Sequence, residues 1–185
     1  GIYLVTSTNT GTNLIANNSV SNISANGTTG DFGSGIFVGG GAVSTNVYHN
    51  TVSMSGASTG GNQPNFALAI GGSNPIVNVR NNIFVNSATN GGSIGTTGIG
   101  SYAVGLGYST FTNLVSNHNN YFTGYQSKFA YYPPNTQKDF ATWELNTAQD
   151  DASIDLEPGF VSGTDLNLIP LVKSGIYLVY LFQML

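Results

Sequence analysis

No cysteine occurs in the chain, which excludes disulfides and thiolate metal sites and leaves the redox compartment unread. Charge is nearly as scarce. Only 6% of the 185 residues are Asp, Glu, Lys or Arg, against about a quarter in an ordinary soluble domain. Four are basic (Arg80, Lys128, Lys138 and Lys173), and the formal net charge is −4. A nucleic-acid partner needs a basic face to neutralise phosphate, and an anionic membrane surface needs a basic cluster. This sequence provides neither. The apolar end, residues 176–185, is too short to span a bilayer, which takes about 20 residues.

Asn, Ser, Thr and Gly carry the polarity instead. A hydrophobic fraction of 40%, rich in Ile, Val, Phe and Tyr, buries enough area to offset chain entropy, so a folded core is expected and not disorder. The length suffices for one domain. Gly1 stands inside an apolar alternating segment with no initiating Met and no leader. The expectation is an internal piece whose N-terminal rungs and signal peptide are missing.

The organising feature is a repeat. GIYLV at 1–5 is followed by NLIANNSVSNIS, ending at 24. GIFV at 35–38 is followed by NVYHNTVSMSG, ending at 56. FALAI at 66–70 leads to VNVRNNIFVNS, ending at 87, and YAVGL at 102–106 leads to LVSNHNNYFTG, ending at 124. An Asn marks each copy: Asn18, Asn50, Asn82 and Asn120, in steps of 32, 32 and 38 residues. Each period holds about three short strands with period-two alternation, one face in and one face out. One such rung cannot bury its own apolar face, but stacked rungs form a continuous core. The expected inward residues are Ile36, Val38, Val47, Val52, Met54, Leu68, Ile70, Val77, Val79, Phe84, Val104, Leu106, Val115 and Phe122. The repeated Asn suits a tight bend, because its side chain bonds backbone groups and it tolerates left-handed φ. Stacking then makes Asn18, Asn50, Asn82 and Asn120 a structural amide ladder. Loops at 25–34, 57–65 and 88–101 leave at one point of the period and should emerge along one edge of the coil.

Composition shifts after Gly124. Seven of the eight carboxylates lie beyond it, Asp31 being the exception. Pro133-Pro134 breaks the pattern. Thr136 as N-cap with Asp139 three residues on predicts a short helix to about Leu145, with Phe140 and Trp143 on one face. Such a helix would cover the open strand edges at the end of the coil. The organisation is therefore rungs over 1–124, a closing segment of the same domain over 125–170, and an atypical apolar tail over 171–185. That tail repeats GIYLV at 175–179.

The segments NNIFVN at 81–86 and NHNNYF at 117–122, then Trp143, QDDASI at 149–154, PGFV at 158–161 and DLNL at 165–168 resemble bacterial right-handed parallel β-helix proteins of the pectin-lyase-like superfamily. The likeness covers about residues 1–170. It implies an all-β solenoid of about four rungs closed by a short helix and loops, on a secreted or cell-surface bacterial protein. That superfamily contains polysaccharide lyases and glycoside hydrolases as well as large surface proteins.

Both chemistries need specific residues. Glycoside hydrolysis takes two facing carboxylates. Lyase action takes a base and charge neutralisation of a uronate, often by Ca²⁺. The rungs offer only Asp31, Arg80, His49 and His118, with no acid cluster, and the two His occupy neighbouring but not identical repeat positions. Arg80 and both His are expected as solvated surface groups. Asp150, Asp151, Asp155 and Glu157 are a weak candidate for Ca²⁺, with turn bonding and end capping the plainer role. The aromatic stretch supplies the ligand candidates Tyr125, Tyr131, Tyr132 and Trp143, since such rings stack on sugar faces. The expectation is a non-catalytic scaffold, adhesin or carbohydrate-binding module. The alternative is part of a polysaccharide lyase or glycoside hydrolase whose catalytic rungs precede Gly1.

Overall fold

The computed structural model describes residues 1–6, 11–23, 32–41, 44–58, 64–90, 100–124, 128–134, 136–169, 172–173 and 176–177. The chain is an all-β solenoid built from parallel sheets. The first rung is β1 (Ile2–Thr6), β2 (Thr12–Ala16) and β3 (Ser19–Ser21). The second is β4 (Ser34–Gly40), β5 (Ser44–Tyr48) and β6 (Thr51–Met54), with the short β7 (Ala57–Ser58). The third is β8 (Asn65–Ile70), β9 (Val77–Arg80) and β10 (Ile83–Asn86), with β11 (Thr89–Asn90). The fourth is β12 (Ser101–Leu106), β13 (Leu114–Asn117) and β14 (Asn120–Thr123).

Equivalent strands of successive rungs pair in parallel. The first sheet runs β1-β4-β8-β12, the second β2-β5-β9-β13 and the third β3-β6-β10-β14. Their inner faces meet in one core. Ile36, Leu68 and Val104 stack in one register column, Val38, Ile70 and Leu106 in another, and all six are buried. Val52, Phe84 and Tyr121 stack from the third sheet, with the Phe84 and Tyr121 rings 5.5 Å apart.

The bend between the second and third sheets takes two residues. Asn17, His49, Asn81 and His118 hold φ of 57°, 54°, 57° and 58°, the left-handed region that Asn and His enter more readily than most residues. The next residue in each rung is Asn18, Asn50, Asn82 or Asn119, and these form the amide ladder. The Nδ2 of Asn18 donates to Asn50 Oδ1 at 2.8 Å, Asn50 Nδ2 to Asn82 Oδ1 at 3.0 Å, and Asn82 Nδ2 to Asn119 Oδ1 at 3.0 Å. Each Oδ1 also accepts the backbone N–H of the preceding ladder Asn, at 2.9–3.1 Å.

The third step is thus 37 residues, not 38, and the ladder member is Asn119. Asn120 opens β14 and pairs with Ile83. The register is therefore one residue from the expected one, and such a slip exchanges the two faces of a strand. Val115 is 42% exposed and Phe122 half-buried, while Leu114, Ser116 and Tyr121 point inward. It also places His49 and His118 at the same corner position, two rungs apart, where neighbouring positions were expected.

Strict alternation fails once in the first sheet. Ala67 and Ala103 face the core together with Leu68 and Val104, two consecutive inward residues per strand. At the matching position a Cβ on Gly35 would collide with Val52. This doubling turns Phe66 and Tyr102 to the outside, where they meet Phe37 and Tyr131.

The coil closes in layers. Strand β15 (Ala130–Tyr132) adds to β12 in parallel and β16 (Thr136–Lys138) folds back on it antiparallel. That pairing claims Thr136, so the helix begins later than expected. Helix α1 spans Phe140–Thr147 with Asp139 as N-cap, its carboxylate accepting from Thr142 N–H at 2.8 Å. The Trp143 and Phe140 rings pack on Phe129 at 5.9 and 4.9 Å. Residues 149–154 then form a partial fifth rung. Asp150 N–H donates to Ser116 O, Ile154 N–H to Asn119 O, and Tyr121 N–H to Ile154 O, each at 2.9 Å. The ladder ends there, with Asn119 N–H donating to the Ser153 hydroxyl at 2.8 Å.

Beyond this rung Phe160 pairs antiparallel with Leu168, so the PGFV and DLNL segments form one hairpin. In the tail, β17 (Val172–Lys173) and β18 (Ile176–Tyr177) pair with each other antiparallel. The rest of 171–185, Asp31, and most of the three expected edge loops lie outside the described residues. No helix among the described residues is long and apolar enough to cross a membrane.

Candidate functional site: an aromatic ridge on the outer face

Of the three described ligand candidates, Tyr132 and Trp143 meet, their ring centroids 6.0 Å apart, and Tyr131 stands apart from them. Trp143 is 1% exposed and its Nε1 donates to Asp150 Oδ2 at 2.8 Å. Tyr132 takes the inward parity of β15, is buried, and its hydroxyl accepts from Asn146 Nδ2 at 2.9 Å. Both rings fill the closed end of the core and present no open face to a ligand. Tyr125 lies outside the described residues. Of the three described, Tyr131 alone faces outward, half-buried among other rings.

Those rings form a ridge along the outside of the first sheet. Tyr3 registers with Phe37, Phe37 with Ala69, Ala69 with Gly105 and Gly105 with Tyr131. Phe66 registers with Tyr102 beside them. Tyr3 and Phe37 stack at 4.8 Å with planes 10° apart. That matches the spacing of neighbouring strands, about 4.8 Å, and flat coplanar rings would overlap at this distance. The ring faces therefore point along the coil axis and the edges point outward. Phe66 and Tyr102 continue the run at 5.7 Å, and Tyr102 and Tyr131 at 5.2 Å. Small residues make room for it: a Cβ on Gly105 would collide with the Phe66 ring, and one on Gly39 would stand 2.6 Å from Phe37. Tyr3 is 75% exposed at the N-terminal end of the ridge, whereas Tyr102 is fully covered.

Two hydroxyls at this face have no partner among the described residues. The oxygens of Ser34 and Tyr102 are buried and make no hydrogen bond to a described residue, although a buried hydroxyl without one costs roughly 1–3 kcal/mol. Ser34 and Tyr102 flank Phe66 in register. Burial, with the Tyr131 phenol nearby, pushes the Tyr102 phenol up to about 12, and burial also raises Tyr131.

The remaining titratable groups serve elsewhere. Arg80 Nε donates to Asn78 Oδ1 at 3.1 Å, and Asn78 and Asn46 both bond the Tyr48 hydroxyl, a polar string on the second sheet. The four acids of the 150–157 run diverge. Asp150 is fully buried, and its Oδ1 accepts from Ser116 Oγ, Asn119 Nδ2 and Ser153 Oγ at 2.9, 3.2 and 2.6 Å. Asp151 bonds Asn117 and Glu157 is exposed. No group of three or more metal-ligating side chains stands together among the described residues.

Asp155 is half-buried with one carboxylate oxygen unpartnered, and burial raises its pKa. A raised folded pKa favours the protonated folded state, so its contribution is present below the unfolded value and lost as pH rises through the folded one. Asp155→Asn is therefore expected to raise the melting temperature at pH 7. The gain should vanish below about pH 3, where both side chains are neutral. An equal gain at both pH values would refute this cause.

The sequence pattern missed Phe66 and Tyr102 because period-two alternation assigns them inward. The Gly35, Ala67 and Ala103 series was the available signal. Compared with protein-family models, with curated proteins and with solved structures, the chain gives no match.

Proposed function

We propose that the chain is part of a right-handed parallel β-helix of the pectin-lyase-like kind, on a secreted or cell-surface bacterial protein. In this reading it is a non-catalytic scaffold or adhesin that holds an extracellular glycan. Right-handedness rests on the general preference of parallel crossover connections, and localisation on the sequence resemblance. The carrying observation for binding is the aromatic ridge. Its rings follow successive rungs over on the order of 19 Å, four strand spacings. Phe66 and Tyr102 are covered while Phe37 and Tyr131 keep part of the strip open, and an apolar strip on a polar surface marks an interaction site. A linear polysaccharide laid along the coil axis suits it. Sugar C–H faces would meet the open edges of Phe37 and Tyr131.

Glycan-array screening of the chain tests the reading. Binding is expected, and Tyr131→Ala and Tyr3→Ala should each weaken it about 3- to 10-fold, the range of one aromatic contact. Tyr132→Ala is expected to act on stability and not on binding. No binding at millimolar glycan would leave a scaffold alone. Unsaturated products from uronate polymers would instead favour the lyase alternative.

A further inference from the structure

The chain carries no cysteine, so no oxidant can tie its rungs together through a disulfide. Tyrosine offers another covalent route. Two phenols held side by side can each lose one electron and one proton and join ring to ring. Among the described residues one pair of tyrosine rings is in contact. Tyr102 and Tyr131 stand with centroids 5.2 Å apart and planes inclined by 47°. Tyr3, Tyr48, Tyr121 and Tyr132 meet Phe, His or Trp rings instead.

The surroundings prepare this pair. Tyr102 belongs to β12 and Tyr131 to the neighbouring strand β15. Phe66 backs the Tyr102 ring at 5.7 Å, which holds it against its partner. Gly105 lies opposite Tyr131 in register, so β12 presents no side chain of its own at that position. Tyr131 is half-buried and Tyr102 is 0% exposed, so an oxidant in solution reaches Tyr131 first. The Tyr102 hydroxyl bonds no described residue, and none has to release it before it reacts.

Burial raises both phenols. Both are therefore protonated at neutral pH, and each oxidation must release a proton with the electron. Tyr131 loses its electron to the oxidant and its proton to water. Its phenoxyl radical takes a hydrogen atom from the Tyr102 hydroxyl, and a second oxidation of Tyr131 leaves a radical on each ring. We infer that Tyr102 and Tyr131 form a modification site, a pair of phenols that a peroxide-driven one-electron oxidant couples into dityrosine. The new bond joins one ortho carbon of each ring, and the two displaced ring hydrogens move to the oxygens. Two hydrogen atoms leave in all, and one hydrogen peroxide becomes two waters. The bond ties the fourth rung to the closing strand, and a cross-link of this kind stabilises by limiting the unfolded chain. It forms whether or not the ridge holds a glycan.

The full chain at micromolar concentration is treated with a haem peroxidase and hydrogen peroxide. Blue dityrosine fluorescence is expected in the monomer fraction, with a mass lower by two hydrogen atoms. Trypsin should release residues 81–128 joined to 129–138, because Lys128 lies between the two tyrosines, and fragmentation should place the link at Tyr102 and Tyr131. Tyr102→Phe and Tyr131→Phe, which keep both rings, should each abolish the link, and Tyr132→Phe should leave it unchanged. The cross-linked chain should melt at a higher temperature than the untreated one. A link that survives Tyr102→Phe, dityrosine found only in dimers, or no dityrosine at all would overturn the site. An unchanged melting temperature in the cross-linked chain would overturn its role as a staple.

Discussion

Replacing Asn82 by alanine is expected to destabilise the coil by about 3–5 kcal/mol, among the largest losses a single substitution here can cause. The side chain is 1% exposed. Its Nδ2 serves Val47 O at 2.8 Å, Arg80 O at 2.9 Å and Asn119 Oδ1 at 3.0 Å. Its Oδ1 accepts the Asn50 N–H at 2.9 Å and Asn50 Nδ2 at 3.0 Å. Alanine strands the Asn50 N–H and the Val47 carbonyl between stacked rungs, where each unpaired group costs roughly 1–3 kcal/mol. Urea unfolding followed by far-ultraviolet circular dichroism measures the loss. Asn120→Ala is the discriminating control. The Asn120 Oδ1 accepts only from Leu156 N–H, at 3.2 Å, so a loss of about 1 kcal/mol is expected. Equal losses at the two positions would refute the assignment of Asn119 to the ladder.

Asp150→Ala is expected to cost a similar 3–5 kcal/mol and to act on the closed end. Asp150 occupies the inward column of Ile15, Val47, Val79 and Ser116, one rung further on. Four neutral donors converge on its carboxylate: Trp143 Nε1, Ser116 Oγ, Asn119 Nδ2 and Ser153 Oγ. The Ser116 hydroxyl also bonds the Tyr121 phenol at 2.9 Å. That phenol is raised well above its ordinary value by burial and by the Asp150 charge. The carboxylate therefore ties helix α1, the partial fifth rung and the ladder together. Alanine would leave the indole N–H and the Ser153 O–H without their acceptor beside a void, while Asn119 Nδ2 keeps Val79 O and Ser116 keeps the Tyr121 phenol. Trp143 is the one tryptophan, so its fluorescence reports this end of the coil directly. A red-shifted emission with a lower urea midpoint is expected. Unchanged emission together with unchanged stability would show that the carboxylate does not hold the closure.

Most of the architecture is legible in the sequence because the Asn period and the apolar alternation are set by local physics. Asn is favoured at a left-handed bend, and alternation follows from the pleat. The fourth rung is legible only to within one residue. His118-Asn119-Asn120 offers two amides for one ladder position, and Val115 and Phe122 are as apolar as Leu114 and Tyr121. Contact with Asn82 and Ser153 decides between them. The role of Asp150 has a faint trace in the sequence, since Asp150 and Ser153 repeat the spacing of Ser116 and Asn119. Acidity hid it: a carboxylate is not expected in a column otherwise filled by Ile, Val and Ser, and only the arriving indole and hydroxyls make that burial tolerable.

By itself, then, the order of residues determined a stacked β coil with Asn bends and a capped C-terminal end, because each of those features depends on neighbours a few positions apart. Tertiary structure decided which side chains face outward as a ridge and which fill the end. Tyr131 and Tyr132 are adjacent and chemically alike, yet strand parity sends one to the surface and the other into the core. Phe66 and Tyr102 reach the ridge because the small residues at 35, 67 and 103 let two consecutive positions face the core. No local preference encodes that choice; it follows from the room that Val52 and the opposing sheet leave.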